Sequence, residues 1–215
     1  IEAARRGVRV RIIADQMASN KDPDTAAYLA TVHTNLQIKH YRPPLERIQP
    51  STGQLIWAGL WAFHDTNQRM HNKLMLVDGC LFITGGRNIE NTYYDHATEL
   101  NFRDRDVLAL GPVAQAAAES FEDFWAYRHA VRSADLKDVA AALARNQFRR
   151  LGGREDFGLG VYFADLDGQV ATTAGAVQRI IQRLRPVQQV SFIADQPGKK
   201  RGLPLSEQAR ITRQL

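Results

Sequence analysis

Residues 71–88 read HNKLMLVDGCLFITGGRN. Two apolar runs, KLMLV and CLFIT, meet across Asp78-Gly79, and the pair Gly85-Gly86 closes the second run. Asp-Gly between such runs is a strong two-residue hairpin signal, because both central positions of a type I′ turn take positive φ. Counting back from that turn sets residue 77 against residue 80, Lys73 opposite Thr84, Asn72 opposite Gly85 and His71 opposite Gly86. Side chains two apart share a strand face. His71 and Lys73 are therefore expected to project together, beside space left empty by the glycines, with Asn88 adding an amide donor. The expected product is a cationic notch at the mouth of a hairpin.

Working outward, helix and strand signals alternate as in a layered α/β domain. Glu2 to Arg6 read as the end of a helix with Gly7 as its C-cap, and VRVRIIAD (8–15) as a strand. Asp22-Pro23-Asp24 opens a helix over Thr25 to Val32, and LQIKHYRP (36–43) is the next strand. Residues 44–66 read as a long irregular connection, of the kind that is often functional. Beyond the hairpin come a polar loop (Glu90 to Asn101), a strand at DVLALGP (106–112) and a helix over Ala114 to Tyr127. From Val131 the texture changes to a charged helix, a glycine-rich stretch (Leu151 to Gly160), an amphipathic helix near Thr173 to Leu184, and a strand at VQQVSFIAD (187–195). IADQ occurs at 13–16 and again at 193–196, a hint of duplication.

Composition narrows the partners. The 215 residues carry 28 Lys and Arg against 23 Asp and Glu, a net charge of +5 that favours an anionic partner such as a phospholipid surface, a phosphorylated metabolite or nucleic acid. With one cysteine, Cys80, neither an internal disulfide nor a cysteine-based zinc cluster can form. No run of about 18 apolar residues is present, so no segment is expected to span a membrane. The chain opens on IEAARRG without an initiator Met and reads as a piece of a longer protein.

The notch suits a phosphodiester. A nucleophile must approach the diester against its charge, and a lysine about 4 Å away offers on the order of a few kcal/mol at a surface-like dielectric. A neutral imidazole, with a reference pKa of about 6.5, is a competent nucleophile near neutral pH and needs no metal. It does need a partner, usually a carboxylate, on its other ring nitrogen. NFRDRDVLAL supplies two candidates, Asp104 and Asp106.

His71, Lys73, Asp78, Gly85, Gly86 and Asn88 fit HxKx4Dx6GGxN. This pattern resembles the HKD motif of the phospholipase D superfamily. RMHNKLMLVDG, GGRNIENTYYD and NFRDRDVLALGP, followed by a helix ending in FEDFWAYR, are similar to the first half of bacterial cardiolipin synthases of the C type. The resemblance is close over roughly residues 1–130. It implies an α/β/α sandwich with a mixed sheet for residues 1–130, the motif lying within 66–93. Residues 131–215 would then be a linker and the incomplete beginning of a second such half. It also implies a phosphatidyltransferase that works through a phosphohistidine, without cofactor or metal. His71 would be the nucleophile, Lys73, Gly86 and Asn88 would meet the phosphate, and Asp104 would orient His71, with Asp106 held in reserve. Asp78 is the motif's third letter, although the hairpin makes it a turn residue. Arg87, Tyr93 and Tyr94 are candidates for a head-group pocket.

The implied partners are an anionic phospholipid substrate and the membrane surface, met peripherally on the cytoplasmic side of a bacterial membrane; nucleic acid is not expected. A second HxKx4D is missing, because His33, His40, His64, His96 and His129 each lack a lysine two positions on. The opposing motif would come from a longer chain or from an identical second chain. The rival readings are a homodimeric phosphodiesterase or nuclease and an inactive phosphate- or lipid-binding module. The other five histidines read as structural. LIWAGLWAF (55–63) reads as core packing ahead of a membrane-interface segment, and no ligand spacing around Asp95 and His96 supports a metal site.

Overall fold

The computed structural model describes residues 1–16, 21–54, 56, 69–94, 98–151, 168 and 172–198. Trp57, Trp61, Phe63, His64, Asp95, His96 and most of the glycine-rich stretch lie outside them.

The first unit is a parallel crossover. Helix α1 (Glu2–Arg5) ends at Gly7, whose φ of 97° is the left-handed geometry a helix C-terminus favours. Strand β1 (Val10–Asp15) follows, then α2 (Pro23–Thr31), then β2 (Leu36–Tyr41), which pairs parallel to β1 from Val10↔Leu36 to Asp15↔Tyr41. Parallel strands need such a crossover element. Asp22 starts α2 by accepting a hydrogen bond from the Asp24 N–H at 3.0 Å, with Pro23 in the first turn where its missing donor costs nothing. Strand β6 (Ala130–Arg132) pairs antiparallel on the other edge of β2, so this sheet is mixed.

The hairpin strands β3 (Leu74–Val77) and β4 (Leu81–Gly85) join β5 (Asp106–Leu110) in a second, antiparallel sheet. Helix α3 (Val113–Ala126) runs across both sheets. Its Ala114 and Ala117 are fully buried against Phe82, with Leu74, Leu76 and Ala109 alongside. A turn or two further on, Phe124 meets Tyr41 of the first sheet with ring centroids 5.5 Å apart. Arg11 of β1 pairs with Glu122 at 2.5 Å and lies over the Phe121 and Trp125 rings at 5.0 and 5.3 Å. The side-chain hydrogen bond from Arg11 holds the Glu122 carboxyl below its usual pKa. Lys39 of β2 donates to the Trp125 carbonyl at 2.7 Å.

The opposite face of the first sheet is covered by α2 and by α4 (Lys137–Arg145). Ala27, Ile48, Leu136, Val139 and Ala142 form that core. With α3 on one face and α2 and α4 on the other, the expected α/β/α layering with a mixed sheet is present. Helix α5 (Thr173–Arg183) follows in the chain.

Two expectations are corrected. The ladder pairs Val77 with Leu81 and Leu74 with Thr84, one residue out of the expected register. Asp78 and Gly79 do take positive φ (50° and 65°), and the Cys80 N–H closes the turn on the Val77 carbonyl at 3.1 Å. Cys80 itself is an extra residue between the turn and the first pair of the ladder. Residues 187–195 form no strand, having no ladder partner among the described residues. They are held by side-chain contact instead: Phe192 stands edge-on to Phe82 at 5.2 Å. Residues beyond 130 also pack into the first core. Strand β6 completes the first sheet, and Leu136 and Val139 are wholly buried with Ala27 and Ile48, because the apolar face of the charged helix is needed to cover α2.

The same core buries a histidine. His40 is 6% exposed, its Nε2 lies 2.7 Å from Ser133 Oγ, and among the described residues its Nδ1 has no hydrogen-bond partner. Burial lowers its pKa to about 4 against a weaker opposing pull from Asp138. The folded state thus holds the ring neutral where the unfolded chain, with a pKa near 6.5, takes up a proton. Stability from this residue should be intact above about pH 6.5 and fall by up to about 3 kcal/mol as pH drops to about 4. Urea unfolding of the protein and of His40→Gln between pH 4 and 7 should give curves that converge as pH falls. Curves that stay parallel would remove His40 from the acid response.

Candidate active site

His71 and Lys73 lie on the extended segment entering β3. The His71 side chain is exposed, and among the described residues nothing donates to or accepts from its ring. Lys73 folds back so that its Nζ donates to the His71 carbonyl at 3.0 Å. The Thr84 hydroxyl donates to the Lys73 carbonyl at 2.9 Å and holds this end of the hairpin closed. Asp78 sits at the far tip, five residues beyond Lys73 or roughly 17 Å of extended chain. Its place is therefore structural, in the turn.

The space beside the glycines is not empty. Strand pairing sets Gly85 against Asp106. A Cβ added to Gly85 would come within 2.5 Å of the Arg105 carbonyl and 2.9 Å of Asp106 Cα, and one on Gly86 would come within 2.8 Å of Asp104 Cγ. Both glycines are bare because two acidic residues lie against them. Asp104 is half-buried, and its Oδ1 accepts the Arg105 N–H at 2.9 Å. The structure thus brings Gly86 and Asp104 together, and Gly85 with Asp106, while neither carboxylate is bonded to the His71 ring.

Arg87 faces inward. Its Nε donates to Asp106 Oδ2 at 2.8 Å, Nη1 to the Tyr93 carbonyl at 2.6 Å and Nη2 to the Asp104 carbonyl at 3.0 Å. Its guanidinium also lies 5.4 Å from the centre of the Tyr94 ring. Asn88 donates through Nδ2 to the Tyr93 hydroxyl at 3.3 Å, and the Tyr93 ring rests on Phe102 at 5.2 Å. Tyr94 is exposed.

One functional anchor escaped the sequence reading. Asp15, at the end of β1, accepts from Arg69 Nε with both carboxylate oxygens at 3.0 Å and from the Met70 N–H at 2.8 Å. Its side chain is only 8% exposed. This buried carboxylate fixes the backbone immediately before His71. The available signal was an aspartate closing a β-branched strand, in the IADQ that recurs at 193–196. Among the described residues no three His, Cys, Asp or Glu side chains gather into a group that could hold a metal ion.

Residues 1–125 match the family model described as "Cardiolipin synthase, PLD-like domain". The chain belongs to that family. Among its relatives are an uncharacterized protein of Helicobacter pylori J99, 37% identical over 61% of this chain and 25% of that protein, and cardiolipin synthase C of Escherichia coli K12, 35% identical over 58% of this chain and 25% of the enzyme. Cardiolipin synthase A of Pseudomonas fluorescens is 30% identical over 60% of this chain and 24% of the enzyme. The chain spans about a quarter of the length of these curated relatives. No solved structure gives a significant match. Among the described residues no helix of this phospholipase D-like domain is long and apolar enough to cross a membrane.

The two glycines should differ on substitution. Gly85→Ala drives a methyl group into backbone and should destabilise the fold by about 1–3 kcal/mol. The three atoms nearest a Cβ on Gly86 all belong to the Asp104 side chain, so Asp104→Ala should restore much of the stability that Gly86→Ala loses. Thermal melting of the two single variants and the Gly86→Ala/Asp104→Ala double variant checks this. A double variant less stable than Gly86→Ala would mean that the Asp104 carboxylate does not occupy that space.

Proposed function

We propose that this domain carries one half of the active site of a phosphatidyltransferase acting on phospholipid phosphodiesters, with cardiolipin formation as its reaction. The observation that carries this reading is HxKx4Dx6GGxN on residues 71–88, set in a domain of the cardiolipin synthase family with an exposed His71 beside Lys73. In the proposed reaction a ring nitrogen of His71 attacks phosphorus, and the bond from phosphorus to the leaving alcohol breaks. The departing oxygen takes a proton from an acid outside this motif. The hydroxyl of an acceptor lipid then gives its proton back to that group and attacks phosphorus, and the phosphorus–nitrogen bond breaks. Lys73 and the backbone around Gly86, with Asn88 nearby, would hold the anionic oxygens through this exchange. The opposing acid would come from a second HKD motif, on the same longer chain or on a second copy, and the site would work at the surface of a bacterial membrane.

In the complete protein, His71→Ala should abolish transfer between anionic phospholipids in vesicles, a larger loss than the roughly 10² to 10⁴ of acid–base help alone. It should also abolish phosphate labelling of the peptide containing residues 71–88. Labelling of that peptide retained in His71→Ala would overturn the nucleophile assignment. Lys73→Met should cut the rate strongly and leave the melting temperature near that of the parent. Turnover by a strict monomer of residues 1–215 would count against the need for a second motif.

A further inference from the structure

We propose that Arg87 is a positioning residue of this site and not a ligand of the lipid head group. The proposal rests on the phosphatidyltransfer reading for its kinetic test, and on geometry for its origin. Nε, Nη1 and Nη2 of the guanidinium each donate to a group of the protein: the Asp106 carboxylate, the Tyr93 carbonyl and the Asp104 carbonyl. Its flat face is turned to Tyr94. An arginine so engaged has little left with which to grip a phosphate in the paired geometry that makes arginine a good phosphate ligand.

What Arg87 touches explains what it does. The chain between β4 and β5 leaves the sheet at Gly85 and returns at Asp106, and these two residues are partners in the ladder. Arg87 lies two residues past the departure. Through Asp106 it is tied to the point of return, through the Asp104 carbonyl to the residue lying over Gly86, and through the Tyr93 carbonyl to the short 3-10 turn Asn91–Tyr93. The Phe102 N–H donates to the Thr92 carbonyl at 2.7 Å, so this turn is itself fastened to the segment leading to Asp104. Arg87 thereby closes a ring of backbone around Gly86. Asp104 is the acidic residue held against that glycine, and its backbone hangs directly on the guanidinium. A lysine could satisfy one of these acceptors but not three at fixed angles.

Arg87→Lys and Arg87→Ala in the complete protein test this, with transfer between phosphatidylglycerol vesicles as the assay. Positioning predicts kcat reduced by about 10²-fold for either variant, since a displacement of about 1 Å can cost that much, with KM for phosphatidylglycerol within about twofold of the parent. Asp106→Asn should lower kcat in the same sense, and adding it to Arg87→Ala should cost little more, because both act through one ring. Amide hydrogen exchange at residues 91–94 and 104–106 should speed up in Arg87→Lys while the core of α2 and α4 keeps its protection. A raised KM with kcat unchanged would make Arg87 a head-group ligand and overturn the proposal. So would full additivity of the two substitutions, or global unfolding of Arg87→Lys. An unmutated protein that transfers no lipid would instead refute the phosphatidyltransfer reading, and the exchange measurement would then decide on the ring alone.

Discussion

Helix α3 is the element on which the rest of the structure depends. Among the described residues the two sheets share no ladder; a single amphipathic helix packs on both. Ala114 and Ala117 let its first half approach Phe82 closely, and Phe121, Glu122, Phe124 and Trp125 give its second half a cationic and aromatic contact with β1 and β2. The spacing of these residues is that of one helical face. Because His71 lies on the way into the second sheet and Asp15 at the end of the first, the geometry between them is set by how that face seats on both sheets at once.

Around the motif, rigidity comes from charges buried or spent internally, and His71, the proposed nucleophile, keeps an exposed side chain. Asp15 fixes the entry to the hairpin by holding Arg69 and the Met70 N–H. Arg87 fixes its exit by holding Asp106 and the carbonyls of Tyr93 and Asp104. Between the two clamps, His71 keeps an exposed ring. An arrangement of this kind suits a group that must form and break a covalent bond, since the scaffold carries the ordering cost before substrate arrives.

Much of the fold was legible in the chain because its signals were local. Gly7, Asp22-Pro23, Asp78-Gly79 and the apolar spacing of 114–124 each act within a few residues, and each corresponds to a boundary or face in the structure. What could not be read was non-local. Whether 187–195 becomes a strand depends on a neighbouring edge being available to it, and whether residues after 130 belong to the first core depends on what α2 lacks. The motif residues were legible by spacing, yet the contents of the notch were not. The glycines promised space, and only the pairing of Gly85 with Asp106 reveals that carboxylates were to fill it. The partners of Arg87 were hidden for the same reason, since an arginine's contacts with another strand leave no trace in its own neighbourhood of sequence.

Hairpin tips are ordinarily where chains tolerate gain or loss of a residue. The tip at residues 78–80 is different, because Cys80 sets the parity of everything beyond it. With Cys80 present, continuing the ladder one step past Leu74↔Thr84 brings Lys73 opposite Gly85, in the same row as Asp106. Were Cys80 instead drawn into the ladder opposite Val77, as a two-residue loop would have it, Thr84 would slide beside the lysine and the acidic row would rotate to the other side of the sheet. The exposed thiol at the tip matters less as a chemical group than as a spacer: a length of chain, not a side chain, keeps the cation and the carboxylates on one face.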